Sequence, residues 1–319
     1  MQTHRFLIAL PLVVASALIG CSPPPPAPEG LDASTSYMMR EFYKNDATFQ
    51  AGIQGFMNWY FDEGFRLTGV GAGEGEDQEP LDSFTIGDLT ETDIGHFPLA
   101  DDDRVISNAS GVVSLAEMDC TWQTAEDYLL RPDQTVVFDE DWEEYDRTFR
   151  TPRADFQAAS ASLEFTPIGE DLDVFAEGYD PAPYGASLLM LENVANPAPV
   201  IVDLPPYDLF FDARHGVVTI EDPDNGESGV GMLAILTYSR EAVFDDSGDN
   251  GLLQSYSVEI NVERPGDKTL RMLAIWAEPI GGGLDPDSAF VLNYAVNKSL
   301  SSSNRLSDIC AGVIDIPAE

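Results

Sequence analysis

"YSVEINVERPGDKTLRMLAIW", residues 256–276, decides how the chain is read. Tyr256, Val258, Ile260 and Val262 alternate with Ser257, Glu259, Asn261 and Glu263. A period of two sends successive side chains to opposite faces of a strand. Beyond "RPGDK", Leu270, Met272, Ala274 and Trp276 form the more apolar parity of a second strand. A two-residue turn at Pro265-Gly266 would set Ile260 opposite Arg271 and put a charge on the apolar face. A three-residue loop, Pro265 to Asp267, instead pairs Val262 with Leu270, Ile260 with Met272 and Tyr256 with Trp276. The pattern predicts the odd-length loop, with Ile260 in the core and Glu259, Asn261 and Arg271 facing water.

Similar runs continue on both sides. From about Ser162 to Asn297, β-type segments alternate with turn clusters such as "PDNGESG" (223–229) and "DDSGDNG" (245–251). Upstream, "GVVSLAEM" (111–118) reads as a strand and "TWQTAEDYLLR" (121–131) as a short helix stopped by Pro132. "DEDWEEYDRTF" (139–149) reads as a second short helix, with Trp142 and Tyr145 inward. A last helix is expected over Ser301–Ala311, serines at its start and Gly312 as its stop. Near the start, Met39, Phe42, Phe49, Ile53, Phe56 and Tyr60 recur at helical spacing and predict an amphipathic helix from about Ser36 to Asp62, weakened by Gly52 and Gly55. The predicted class is α+β: a long antiparallel β-meander with short helices and a C-terminal helix. A β-sandwich with a helical N-terminal extension is the alternative, because the β region is long.

The order strand, two short helices, antiparallel meander, final helix resembles the helix-grip arrangement of the START and Bet v 1 superfamily over about residues 106–319. The resemblance implies an apolar or lipidic ligand held between a curved sheet and the last helix. On that reading Tyr256, Ile260, Met272, Trp276 and Tyr294 line the site. Tyr256 and Trp276 each lie on the apolar side of an expected strand, and large aromatics there mostly fill ordinary cores, which is the favoured role for both.

The first 21 residues carry a different message. Phe6 to Gly20 is apolar apart from Ser16 and is preceded by Arg5, a stretch of fifteen residues where a membrane span needs about 20. Leu18-Ile19-Gly20-Cys21 closes it and resembles the lipobox of bacterial lipoproteins. The resemblance implies cleavage before Cys21, acylation of Cys21 and stable anchoring through several acyl chains. In a Gram-negative host, Ser22 after the cysteine implies sorting to the outer membrane. Pro23 to Pro26 and Pro28 then favour an extended strut that holds the body off the lipid surface. The expected organisation is a signal peptide (1–20), lipidated tether (21–35), N-terminal helix with an acidic Gly-rich loop (36–105) and main α+β domain (106–319).

Composition narrows the partners. A net charge of −40 repels nucleic acid and anionic lipid, so membrane attachment falls to the acyl chains. The same charge suits a structural lipoprotein that presents an acidic face to envelope proteins. With Cys21 acylated, Cys120 and Cys310 remain in an exported chain, where a disulfide is the simplest pairing and two buried thiols the alternative.

No catalytic motif stands out, and the reading is non-enzymatic. "GVGAGEGEDQEP" (69–80) has closely spaced glycines, but its acidic residues would repel a phosphate. After the leader only His96 and His215 remain; no G-x-S-x-G accompanies them, and His215 is expected at a strand entrance. No cofactor is expected. Hard oxygens cluster at Asp222 and Asp224 and at Asp246 and Asp249, the donor type Ca²⁺ needs, although plain turns need the same residues.

Overall fold

The computed structural model describes residues 26–42, 46–62, 83–95, 97, 104–139, 142–149, 189–197, 208–221, 228–245, 247–264, 266–281 and 289–319. The opening hairpin is formed by β8 (Gly251–Arg264) and β9 (Lys268–Ile280). Val262 pairs with Leu270, Ile260 with Met272 and Tyr256 with Trp276, and the ladder closes at Arg264 and Lys268, so three residues make the loop. Gly266 (φ 83°) and Asp267 (φ 59°) both sit in the left-handed region, which glycine enters freely and aspartate at low cost.

The other strands are β1 (Ser83–Ile86), β2 (Ser110–Met118), β3 (Trp142–Phe149), β4 (Leu189–Pro197), β5 (Leu209–Glu221), β6 (Ser228–Ser239) and the short β7 (Val243–Phe244). All nine belong to one antiparallel sheet of order β1-β2-β9-β8-β6-β5-β4-β3, with β7 beside β8. The fold is mixed α+β with an open antiparallel sheet and a C-terminal helix; the described strands do not form two stacked sheets. β2 lies against β9, so the meander that begins after it returns to its side.

Helices cover both faces. α1 (Leu31–Arg40) and α2 (Asp46–Asp62) share a core with the apolar parity of the hairpin: Met38, Phe56 and Tyr60 join Tyr256, Ile260, Met272 and Trp276. The opposite face carries α4 (Trp122–Leu129), α5 (Gln134–Val137) and α6 (Ala289–Cys310), with Trp122, Leu129, Leu306 and Ile309 packed on Ala213, Leu233 and Ile235. The expectation that this second face meets water is therefore overturned: Glu259 is 7% exposed, Arg271 5% and Asn261 not at all. Glu259 and Arg271 pair there, which makes burial of the charges tolerable.

Four local expectations are also corrected. The single N-terminal helix is two helices. Arg214 of β5 donates from Nη1 to the carbonyls of Glu41 (2.8 Å) and Phe42, taking up the C-terminal carbonyls of α1. Phe42 then packs edge-on against Phe97 and Tyr238. Gly55 is required by packing: a Cβ there would lie 2.4 Å from the Pro28 carbonyl oxygen.

Residues 139–149 do not form a helix. Trp142 to Phe149 is β3, with an irregularity between Trp142 and Glu144 in its pairing to β4. The extra residue puts Trp142 and Tyr145 on one side of a strand, three apart, which imitates helical spacing. The C-terminal helix begins at Ala289 rather than Ser301, so Tyr294 is helical. Its serines are not caps: Ser302 and Ser303 Oγ each donate to the Ser299 carbonyl at 2.9 Å, and Ser299 is hydrogen-bonded to Ser114 of β2. Finally, His215 lies within β5, not at its entrance. α3 (Glu91–Ile94) completes the described helices.

Cys120 and Cys310 lie at disulfide distance, Cα atoms 5.4 Å apart, joining the end of β2 to the end of α6. Cys21 and residues 1–25, the loop 69–80 and His96 lie outside the described residues.

Candidate functional site

A cleft of about 270 Å³ opens on the face that carries α4, α5 and α6. Its walls include Tyr145 of β3, His215 of β5, Ser257 of β8 and Leu273 of β9. In the order β9-β8-β6-β5-β4-β3 these outer strands are five steps apart, about 24 Å in a flat sheet at roughly 4.8 Å per step. One cleft reaches both, so the sheet curls around it.

One end of the cleft is aromatic. The irregularity in β3 brings Trp142 and Tyr145 together edge-on, ring centroids 5.1 Å apart, and Phe138 and Phe211 join them in the wall. Arg147, two residues beyond Tyr145 and so on the same side, lays its guanidinium 5.4 Å over the Tyr145 ring. Its Nη1 donates to the Leu129 carbonyl and its Nη2 to the Tyr145 hydroxyl at 3.3 Å.

The other end is a polar network on β8, β9 and α6. Arg271 grips Glu259 through Nε to Oε1 and Nη2 to Oε2, both 2.9 Å, and its Nη1 donates to Ser302 (2.8 Å) and Ser303 (2.9 Å). Asn261 Nδ2 donates to Glu259 Oε1 at 2.9 Å. Nearby the Thr237 and Ser257 hydroxyls are 2.6 Å apart.

His215 differs from these groups. It is 1% exposed, and its Nδ1 is buried without a hydrogen-bond partner. Burial, reinforced by the positive charge of Arg147, holds the imidazole well below its ordinary pKa and hence neutral near pH 7. An unpaired polar atom in the wall of an aromatic cleft is what a ligand group would satisfy.

The residues expected to line a site fall elsewhere. Tyr256, Ile260, Met272 and Trp276 have no exposure and form the packed core beneath α1 and α2. Trp276 Nε1 donates to the Gly87 carbonyl at 2.9 Å, and Tyr256 donates to Gln254 Oε1 at 3.1 Å; burial pushes the Tyr256 hydroxyl up to about 12. Tyr294 is half-buried on α6. On β8 and β9 the cleft is built from the parity that looked like the wet one. Its signal was the mixed composition of that parity, with Leu273 and Ile275 beside Ser255, Ser257, Glu259 and Arg271.

Of the calcium candidates, Asp222, Asp224 and Asp246 lie outside the described residues, and Asp249 is exposed. In the same loop Asp245 Oδ1 accepts from the Ser247 hydroxyl (2.7 Å) and from the backbone N–H groups of Ser247 and Asp249, and Oδ2 accepts from Asn250 Nδ2 (2.7 Å). These bonds hold its carboxyl down at about 2. Among the described residues no three His, Cys, Asp or Glu side chains are grouped to hold a metal.

No family model matches the chain, and no curated protein matches it at a significant level.

Proposed function

We propose that this is a lipid-anchored binding module of the bacterial envelope that holds a small apolar ligand in the cleft between its sheet and α6, without catalysing a reaction on it. The observation that carries the reading is the buried, unpartnered Nδ1 of His215 inside an aromatic-walled cavity. The order of elements supports a helix-grip architecture: β2, the short helices α4 and α5, a meander ending beside β2, then a long helix tied by Arg271 to the inner face. α1 and α2 are additions on the outer face. Leu18-Ile19-Gly20-Cys21 supports anchoring through Cys21, and Ser22 supports the outer membrane of a Gram-negative host.

A second reading, an assembly lipoprotein working through its acidic surface, draws support from the charge of −40 and from the solid packing around Tyr256 and Ile260. Native mass spectrometry of the mature protein separates the two. A small molecule that co-purifies with the wild type and is lost in the cleft-filling variant Ala213→Phe is the expected result. Protein that carries nothing and takes up no aromatic probe would favour the surface-mediated role.

A further inference from the structure

We infer that the cleft takes a compact, uncharged aryl ligand bearing a hydroxyl group, its ring against Trp142, Tyr145 and Phe211 and its hydroxyl against His215. The inference rests on the ligand-binding reading above and adds the size, charge and polar group of the ligand.

Size comes first. About 270 Å³ is nearly twice the roughly 150 Å³ that accommodates benzene in an apolar cavity, and it lies at the small end of ligand sites. One or two fused rings fit; two acyl chains do not. Phe138, Trp142, Tyr145 and Phe211 make one end of the wall aromatic, and rings pack best against other rings in offset or edge-on geometry.

Charge is decided by which groups are already committed. Glu259 is the one acidic side chain among the described residues of the wall, and Arg271 holds both its oxygens. Arg271 spends its remaining nitrogen on Ser302 and Ser303. Arg147, the other guanidinium of the wall, is engaged by the Leu129 carbonyl, the Tyr145 hydroxyl and a further partner. A ligand of either sign would therefore give up its hydration without gaining a free counter-charge, a larger penalty than any neutral polar group would meet. The neutral state of the His215 imidazole agrees with an uncharged occupant.

The polar group follows from what is left. Phe211, Ala213 and His215 alternate along β5 and line the cleft together. A neutral imidazole has one nitrogen that donates and one that accepts, and the unpartnered Nδ1 is a donor in one tautomer and an acceptor in the other. A hydroxyl both gives and takes a hydrogen bond, so it satisfies Nδ1 in either. In the adjoining row Ala213 is paired with Thr237 and Thr237 with Ser257. Those two hydroxyls, 2.6 Å apart, bring two protons to one shared hydrogen bond, which leaves a proton to offer to a ligand acceptor.

Isothermal titration of the purified mature protein at pH 7.5 with 2-naphthol, 2-methylnaphthalene, 2-naphthoate and 2-naphthylmethylammonium tests this. Naphthol should bind at least roughly tenfold more tightly than either charged probe, because only the charged probes bury an unpaired ion. His215→Leu should shift the ratio of naphthol to methylnaphthalene affinity against naphthol by roughly three- to tenfold, the scale of one neutral hydrogen bond. His215→Gln, which can still give or take a hydrogen bond, should keep the ratio, and Ala213→Phe should block all four probes. Should His215→Leu not fold, the ranking of naphthol against the charged probes on the wild type decides alone. Equal or tighter binding of a charged probe, or an unchanged ratio in His215→Leu, overturns the inference and leaves the binding reading standing. If no probe binds, the inference falls, and the binding reading falls with it when native mass spectrometry also finds nothing bound to the wild type.

Discussion

Glu259 of β8 and Arg271 of β9 form a diagonal two-point pair inside the protein, with Nε–Oε1 and Nη2–Oε2 distances of 2.9 Å, and Arg271 carries the contact on to Ser302 and Ser303 of α6. The pair therefore fastens the C-terminal helix to the sheet. Glu259→Ala leaves a buried guanidinium without its counter-charge and should cost about 3–5 kcal/mol. Replacing both partners by apolar residues, Glu259→Leu with Arg271→Met, should be close to neutral. Urea melts of the three proteins check this; a single-variant cost under about 0.5 kcal/mol, as at a surface site, would contradict the buried pair.

Ile260 tests the other face of the same strand. It is fully buried opposite Met272, among residues of α1 and α2, so Ile260→Ala should cost about 2–5 kcal/mol through lost transfer energy and the cavity left behind. The midpoint shift in urea, at unchanged slope, reads it.

The bridge between Cys120 and Cys310 spans a sequence separation of 190. In the chain-entropy account, closing so long a loop stabilises by roughly 5 kcal/mol. Peptide mapping without reductant should recover the two cysteines joined, and Cys120→Ser with Cys310→Ser should lower the melting temperature. Free thiols at both positions in protein purified without reductant would refute the pairing.

His215 imposes a pH dependence whose sign follows from its lowered pKa. Its unfolded value is about 6.5, and the folded value lies well below, so between the two only the unfolded chain takes up the proton. Its contribution to stability is complete above pH 6.5 and falls as the pH drops below it, by at most about 1.4 kcal/mol per unit. His215→Gln should lose less stability than the wild type between pH 7.5 and 5.5. Parallel urea midpoints for the two proteins at both pH values would show that the buried imidazole contributes nothing.

Anchoring is tested at Cys21. Cys21→Ser should give an unlipidated precursor that stays with the inner membrane, whereas the wild type should fractionate with the outer membrane of a Gram-negative host. Normal processing of the variant would remove the lipobox reading.

The pairing of Ile260 with Met272 was legible because it is a local matter: alternation and one loop length set the register, and a slip of one residue would turn every side chain over. The strand at 110–118, the helix that follows it and the presence of a helix near the C-terminus were legible for the same reason. The start of α6 was not, because Ser299, Ser302 and Ser303 are stop-or-start residues by propensity and become helical only against Ser114 and Arg271. Nor was β3, where one extra residue gave a strand the spacing of a helix. The cleft was the least visible of all. Its wall joins Tyr145, His215, Glu259 and Ser302, residues far apart in the chain, and on β8 and β9 it uses the parity that alternation assigns to water. Alternation reports only the difference in polarity between the two faces of a strand. Whether the more polar face is wet or covered depends on where distant helices dock, and here α4, α5 and α6 covered it, buried its charges as a pair and left room beside His215.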